Sequence, residues 1–271
     1  LADAHQIPFE SFVKINDTKH LSWMREKNPD IIFAVGFSQI LSEEWLNMPK
    51  LGCIGFHPTL LPRGRGRAPL AWIVLEERRG AASFFLMRKG ADDGPIFVQV
   101  PFELEEDDDA SSTGNRINSS IKEALNLWLP ELKRGIWNPI PQDESKATWY
   151  GKRNPEDGLI NWHCKAPSID RLIKASAKPH PGAYTYFKDF KIIIGASNLE
   201  KNISIKGVVG RILLQHDQKG YLVQCGEGLI WVRDLKLTDE MKGLKVGDRL
   251  GYQLEDEIYE IWKEIKKLKG K

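Results

Sequence analysis

Cysteine is scarce. Cys53, Cys164 and Cys225 are the only three in 271 residues. They are far apart and odd in number, which excludes a disulfide framework and a cysteine-built metal cluster. No apolar run approaches the roughly 18 to 20 residues that a membrane-spanning helix needs. No internal repeat and no low-complexity tract occurs, which excludes solenoid and linker-type architectures. With 41% hydrophobic and 28% charged residues, what is left is an ordinary soluble protein, expected in the cytoplasm. Its length has room for one large or two medium domains, each able to bury a core.

A formal net charge of +2 conceals an asymmetry. Up to His163 there are 19 Lys and Arg against 23 Asp and Glu; beyond it there are 20 against 14. An anionic partner would therefore dock on the second half, a reading weighed against the commoner one of a lysine-rich solvated face.

Residue patterning predicts alternating elements in the first half. Asp17 caps a helix to 27, stopped by Asn28-Pro29. The apolar run 31–35 reads as a strand covered on both faces. A short helix near 42–47, a strand over 52–56 and a helix over 68–77 with Pro69 in its first turn follow. Strands at 82–87 and 96–104 precede a helix over 112–132. Strands alternating with helices predict an α/β sheet, whose sites lie at the carboxyl ends of strands. After about 141 the texture changes to a turn-rich linker. A helix over 169–177 capped by Ser168 leads into β runs at 183–187, 191–195, 207–214, 221–225 and 229–235, spaced as in a small β-barrel. A charged helix over 256–269 closes the chain.

The densest signal is Cys53-Ile54-Gly55-Phe56-His57-Pro58-Thr59-Leu60-Leu61-Pro62-Arg63-Gly64-Arg65-Gly66-Arg67-Ala68-Pro69, followed by Gly90-Ala91-Asp92-Asp93-Gly94-Pro95-Ile96. A His just past an apolar run and an Asp in a glycine-flanked turn are the parts that proton transfer needs. Each has a plainer reading. His57 alone would be a satisfied structural histidine, and Asp92 an Asx-turn residue ahead of Gly94; Asp93 is an equally placed carboxylate. Arg63, Arg65 and Arg67 make a cationic loop, either a clamp on phosphate or carboxylate or a set of pairs with acids such as Glu76 and Glu77. Cys53 reads as core, with no cation to activate it. The acidic run 105–109 lacks the spacing of a calcium loop and reads as a solvated turn. Trp128, Trp137, Trp149 and Trp162 gather around the linker and are expected to pack a domain junction.

In this order, and followed by a β-rich half, these motifs resemble the folate-dependent formyltransferases, whose signature is Asn-x-His-Pro-Ser-Leu-Leu-Pro…Arg-Gly and Asp-x-Gly-Pro. The likeness covers nearly the whole chain and is strongest over 30–99 and 152–183. Lys152-Arg153-Asn154-Pro155-Glu156-Asp157-Gly158 and Pro179-His180-Pro181-Gly182-Ala183 are most similar to enzymes that formylate nucleotide-linked 4-amino sugars. The resemblance implies a Rossmann-like, parallel-sheet formyltransferase domain over 1–140, whose N-terminal strand-helix-strand unit is expected to be missing from this chain. A linker over 141–163 and a small OB-like β-barrel domain with a terminal helix over 164–271 would follow.

It also implies a reaction. A formyl group would pass from 10-formyltetrahydrofolate to the amine of an amino sugar, nucleotide-linked or otherwise anionic, in surface-glycan biosynthesis. His57 would serve the oxyanion and shuttle the proton, and Asp92 would support it in proton removal. The turn carrying Lys89, Gly90, Ala91, Asp93 and Gly94 would offer backbone groups to the pteridine. Phe37, Gln39 and Leu41 would wall it. Arg63, Arg65 and Arg67 would hold the acceptor's anion, Arg65 first. No metal and no membrane is implied, and a sheet edge or the final helix is a candidate homodimer contact.

One departure stands out. Gly55 occupies the place of the family Asn, an oxyanion donor whose loss costs roughly 10² to 10³ in rate. Ser38, Gln39, a water in the vacated space or the acceptor itself would have to replace it, and Gly55→Asn is expected to raise, or at least not abolish, folate-dependent activity. Two alternatives stay open within the resemblance: a methionyl-tRNA formyltransferase, with tRNA as the basic second half's partner, and a non-catalytic relative that binds folate or a glycan intermediate.

Overall fold

The computed structural model describes residues 2–237 and 243–269. The first elements are α1 (Thr18–Lys27), β1 (Ile31–Ala34), α2 (Glu43–Leu46), β2 (Gly52–His57), β3 (Arg65–Gly66) and α3 (Pro69–Trp72), which continues as a π-helical turn over Ile73–Glu77. Then come β4 (Arg79–Leu86), β5 (Ile96–Glu103), α4 (Ala110–Lys133), β6 (Trp149–Tyr150) and α5 (Ala166–Ser176). The last are β7 (Ala183–Phe187), β8 (Phe190–Glu200), β9 (Ile212–His216), β10 (Gly220–Gln224), β11 (Leu229–Lys236) and α6 (Leu254–Lys269). Two compact units result. One comprises Leu1–Pro69, Arg79–Glu103 and Asn115–Lys152, the other Leu70–Arg78, Leu104–Gly114 and Arg153–Lys271.

In the first unit the sheet order is β1-β2-β4-β5. β1 and β2 are parallel, but β4 runs antiparallel to both β2 and β5. The expected parallel sheet is therefore mixed. The physical reason lies in the connections. The loop from β4 to β5, 87–95, is too short for the crossover that a parallel pair requires. Upstream, Arg78 in the left-handed region (φ 55°) ends the π-helical turn and sends the chain back along β2.

Alternation along β2 divides its side chains between two faces. Ile54 joins Phe84, Val100, Ala124 and Trp128 beneath α4. Cys53 joins Leu21, Leu41 and Trp45 beneath α1 and α2. Gly55 and His57 share the Cys53 face, so the strand itself directs the candidate site to that side. Trp128 and Trp137 pack on Phe97 in this unit's core, with ring centroids 4.9 and 4.6 Å away. Trp162 instead belongs to the second unit's core and donates to Thr185 at 2.9 Å. Three of the four tryptophans expected to cluster thus belong to separate interiors, and Trp149 is exposed.

The second unit holds an antiparallel sheet in the order β7-β8-β11-β10-β9, the small β unit expected as a barrel, with β7 and β9 as its edges. Ile192 and Ile194 of β8 alternate inward against Ile230 and Val232 of β11 and Ile169 and Ile173 of α5. α5 starts at Ala166, earlier than expected, because Pro167 fits its first turn and Lys165 takes the cap position. The acidic run also differs from the solvated turn expected of it. Asp108 is buried and accepts from the Glu105 amide at 2.7 Å, while Asp109 accepts from Ser112 at 2.9 Å and starts α4.

Burial pushes the Cys53 thiol up to about 11 and the Cys225 thiol up to about 12, the latter with a smaller contribution from Cys164, which is exposed. Only thiolates react readily. A chromogenic disulfide reagent at neutral pH is therefore expected to titrate one thiol quickly in the native protein, and all three after denaturation. Among the described residues no helix is long and apolar enough to cross a membrane.

Candidate active site

His57 is the last residue of β2, and Pro58 cannot extend the ladder as a donor. The chain then turns through 58–64, held from beneath by Ser83, which donates to the Thr59 carbonyl at 2.6 Å, and by Gln99, which donates to the Leu61 carbonyl at 3.1 Å. This turn brings the Gly64 carbonyl 2.9 Å from His57 Nε2. A carbonyl only accepts, so the hydrogen bond assigns the proton to Nε2. In the neutral ring the lone pair is then at Nδ1, and Nδ1 faces Asp92 Oδ2 at 3.6 Å. That separation exceeds a direct hydrogen bond, so the two groups couple by charge or through one bridging molecule. His57 is 5% exposed.

Asp92 adopts φ 54°, a left-handed conformation that Asp tolerates better than most residues. Its Oδ2 also accepts from the Gly66 amide at 2.9 Å. Gly66 itself has φ 106°, and a Cβ there would stand 2.5 Å from the Tyr150 carbonyl, because β3 pairs with β6 at this point. The Arg-Gly pair is thus a docking strand, and its glycine lets an amide reach the carboxylate. Gly94 is constrained still more: a Cβ would lie 1.6 Å from the Leu86 carbonyl.

Residues of the expected linker complete the arrangement. Gln142 Nε2 donates to the carbonyls of Asp92 (2.8 Å) and Gly94 (2.6 Å), pinning both ends of the turn. Thr148 Oγ1 accepts from the Gly64 amide at 2.8 Å. Sequence reasoning missed both. They lie far along the chain from the loops they hold, and no local pattern marks them.

Arg65 is corrected by its surroundings. It is 1% exposed, bidentate to Glu144 at 2.9 and 2.7 Å, and it donates to Gln142 Oε1 at 2.9 Å. Hydrogen bonding by Glu144 holds the guanidinium above its ordinary pKa, and Arg65 in turn holds the Glu144 carboxyl below its own. Arg65 is therefore the lock between the His57 loop and 142–144, paired with Glu144 and not with Glu76 or Glu77. Arg63 and Arg67 lie exposed on the same loop.

The remaining expected residues scatter by role. Leu41 is buried in the core with Phe37 packed against that cluster. Gln39 spends its side chain on Ile15 N (3.0 Å) and Val13 O (2.8 Å). Lys89 is 3.1 Å from Glu43, and Gly90 and Ala91 are exposed at the turn's tip. Asp93 Oδ1 is buried without a hydrogen-bond partner, an acceptor suited to a ligand N–H. A cleft of about 560 Å³ between α2 and 86–89 is lined by Glu43, Asn47, Gly52, Met87 and Lys89. It opens at the start of β2, the end away from His57.

The space beside Gly55 is filled. A Cβ there would meet Phe85 Cζ at 2.6 Å and Met87 Cγ at 2.9 Å, and Phe85 is 3% exposed. The expectation of a vacated space for water or a surrogate donor gives way to a phenylalanine ring. Gly55→Asn is accordingly expected to lower stability by about 1–3 kcal/mol through overpacking. In thermal unfolding the double variant with Phe85→Leu is expected to cost less than the two single changes together.

Known proteins resemble this chain in sequence and in fold. The sequence pattern of the formyl transferase family matches residues 8–129, and that of the formyl transferase C-terminal domain matches residues 152–246. The bifunctional polymyxin resistance protein ArnA of Wigglesworthia glossinidia brevipalpis is 36% identical over 196 residues, 72% of this chain and 30% of ArnA. HypX of Aquifex aeolicus, solved with tetrahydrofolic acid, superposes with a TM-score of 0.66 at 17% identity, covering 88% of this chain and 45% of HypX. An N-formyltransferase of Helicobacter canadensis, solved with folinic acid and dTDP-3-aminofucose, gives 0.64 at 15% identity over 87% of this chain and 81% of that one. The two structures show a shared fold. The chain spans less than half the length of ArnA and of HypX.

Proposed function

This chain belongs to the formyl transferase family, and from that premise we propose that it transfers a formyl group from 10-formyltetrahydrofolate to the amine of an amino sugar that is nucleotide-linked or otherwise anionic. The observation that carries the proposal is the His57 ring, fixed at Nε2 by the Gly64 carbonyl and turned with Nδ1 toward Asp92 at 3.6 Å. When bound, the folate supplies the activated one-carbon group. The protein's part is proton management. An attacking amine acquires a surplus proton, and Nδ1 is the ring nitrogen with a lone pair to receive it. The resulting imidazolium is stabilised by the Asp92 carboxylate, whose position the Gly66 amide and Gln142 maintain. In its charged form His57 would return that proton to the folate nitrogen as its bond to the formyl carbon breaks, which closes the proton count.

The turn 89–94 suits a flat heterocycle rich in N–H groups, because Asp93 keeps an unpartnered buried oxygen there. Phe37 and Leu41 form the apolar wall behind 35–41, with Leu41 shaping it from the core. Arg63 and Arg67 take the acceptor's anion in place of Arg65, using guanidinium contacts that phosphate or carboxylate accepts in pairs. The Helicobacter relative, solved with dTDP-3-aminofucose, supports a sugar acceptor.

A second reading draws on Gly55. With Phe85 occupying the site of the family amide donor, the chain would bind folate or a glycan intermediate without transferring formyl. Rates of tetrahydrofolate release with nucleotide-linked amino sugars, free amino sugars and methionyl-tRNA separate the readings. The proposal predicts release with a sugar and a shallow salt dependence. Release only with tRNA, falling steeply with salt as counterion release requires, would overturn the acceptor. Folate binding with no release for any amine favours the second reading.

A further inference from the structure

Two acceptors compete for the one proton that a neutral His57 ring carries. The Asp92 carboxylate draws it toward Nδ1, as the carboxylate of a Ser-His-Asp triad does. The Gly64 carbonyl, 2.9 Å from Nε2, draws it the other way. Distance decides the contest. At 3.6 Å Asp92 is beyond direct hydrogen bonding, so the proton stays at Nε2 for as long as the Gly64 carbonyl keeps its place. A small retreat of that carbonyl would hand the proton to Nδ1 and remove the lone pair on which proton removal depends.

A residue outside the signature loop holds the carbonyl there. Thr148 immediately precedes β6 and grips 62–65 three times. Its amide donates to the Pro62 carbonyl at 3.2 Å, its carbonyl accepts from the Arg65 amide at 2.9 Å, and its Oγ1 accepts from the Gly64 amide at 2.8 Å. The Arg65 bond continues into the pairing of β3 with β6, where the Arg67 amide donates to the Tyr150 carbonyl at 3.0 Å, so Thr148 is itself held in register. The Arg65 amide and the Gly64 carbonyl belong to one peptide unit. A hydrogen bond at each end polarises that unit in the same sense, which strengthens the carbonyl as an acceptor. On its other side Gly64 packs against Thr59, whose Cγ2 a Cβ would approach to 3.0 Å. Of the three bonds from Thr148, only that to Oγ1 is made by a side chain. We infer that Thr148 is a positioning residue, whose hydroxyl anchors Gly64 and so fixes His57 in the tautomer with its lone pair at Nδ1. Its effect on turnover rests on the proposed formyl transfer; its effect on the ring does not.

The test compares two variants. Thr148→Val keeps the shape and the backbone bonds but leaves the Gly64 amide without its acceptor; Thr148→Ser returns the oxygen. Long-range proton–nitrogen correlation spectra of the full chain carrying nitrogen-labelled histidine tell a protonated ring nitrogen from a bare one. They are recorded at mildly alkaline pH, where imidazole is neutral, and the His57 signals are those missing from His57→Gln. The wild-type ring is expected to carry its proton on Nε2, Thr148→Val to show a mixture of both tautomers, and Thr148→Ser to recover the wild-type pattern. In turnover, Thr148→Val is expected to lower kcat by about 10-fold to 10²-fold, as a small misplacement of a catalytic group does. KM for 10-formyltetrahydrofolate is expected to change little, and Thr148→Ser to recover most of the rate. A wild-type ring protonated at Nδ1 would overturn the inference. So would a Thr148→Val ring with the wild-type pattern, however slow that variant, or a serine variant that behaves like the valine one. If the valine variant unfolds, Thr148→Ala removes the same oxygen and takes its place in the spectra. A chain that transfers formyl to no amine, yet shows these tautomer changes, would contradict the proposed function and support the inference.

Discussion

His57→Ala is expected to lower formyl transfer by at least about 10² to 10⁴, the range that a positioned proton-transfer group contributes. The change removes both the Nε2–H that engages the Gly64 carbonyl and the Nδ1 that faces Asp92. It also leaves a hole where a 5%-exposed side chain stood, so unfolding temperature must be measured beside rate. His57→Gln supplies the control: it can donate to the Gly64 carbonyl but cannot accept a proton at neutral pH. Comparable rate losses in both variants, with folding intact in the glutamine one, identify proton transfer as the function lost. Wild-type-like turnover in either would remove His57 from the mechanism.

Gly94→Ala is expected to be nearly as damaging to activity and worse for stability. A Cβ 1.6 Å from the Leu86 carbonyl meets backbone within a sheet, so no rotamer change relieves it. The 92–94 turn must lift away from β4, and Asp92 travels with it. Misplacing a catalytic group by about 1 Å can cost 10²-fold in rate, and strain of this kind lies in the upper range of single-substitution effects. The check is paired measurement of turnover and unfolding temperature. A variant with unchanged activity would show that the turn's position relative to His57 is immaterial.

Much of the fold was legible because the signals were local. The strands read at 31–35 and 52–56 follow from patterning and end within one residue of β1 and β2, as α1 follows from Asp17 and Asn28-Pro29. His57 and Asp92 were singled out for the same reason, each lying just beyond a recognisable strand. What was not legible depends on distant residues. The antiparallel course of β4 is set by how the chain leaves Arg78, which no periodicity encodes. The assignment of Leu70–Arg78 and Leu104–Gly114 to the second compact unit is likewise invisible in a linear reading. Gln142 and Glu144 read as linker, yet they fasten the Asp92 turn and neutralise Arg65. That Phe85 fills the space beside Gly55 follows only from the register between β2 and β4.

The most direct measurement supplies 10-formyltetrahydrofolate with an isotope-labelled formyl carbon to the purified chain and a nucleotide-linked amino sugar, then weighs the sugar. The account predicts a product heavier by one labelled formyl group on its amine, formed by the wild-type chain and absent with His57→Ala. A sugar that stays unmodified while the chain binds the folate would contradict it.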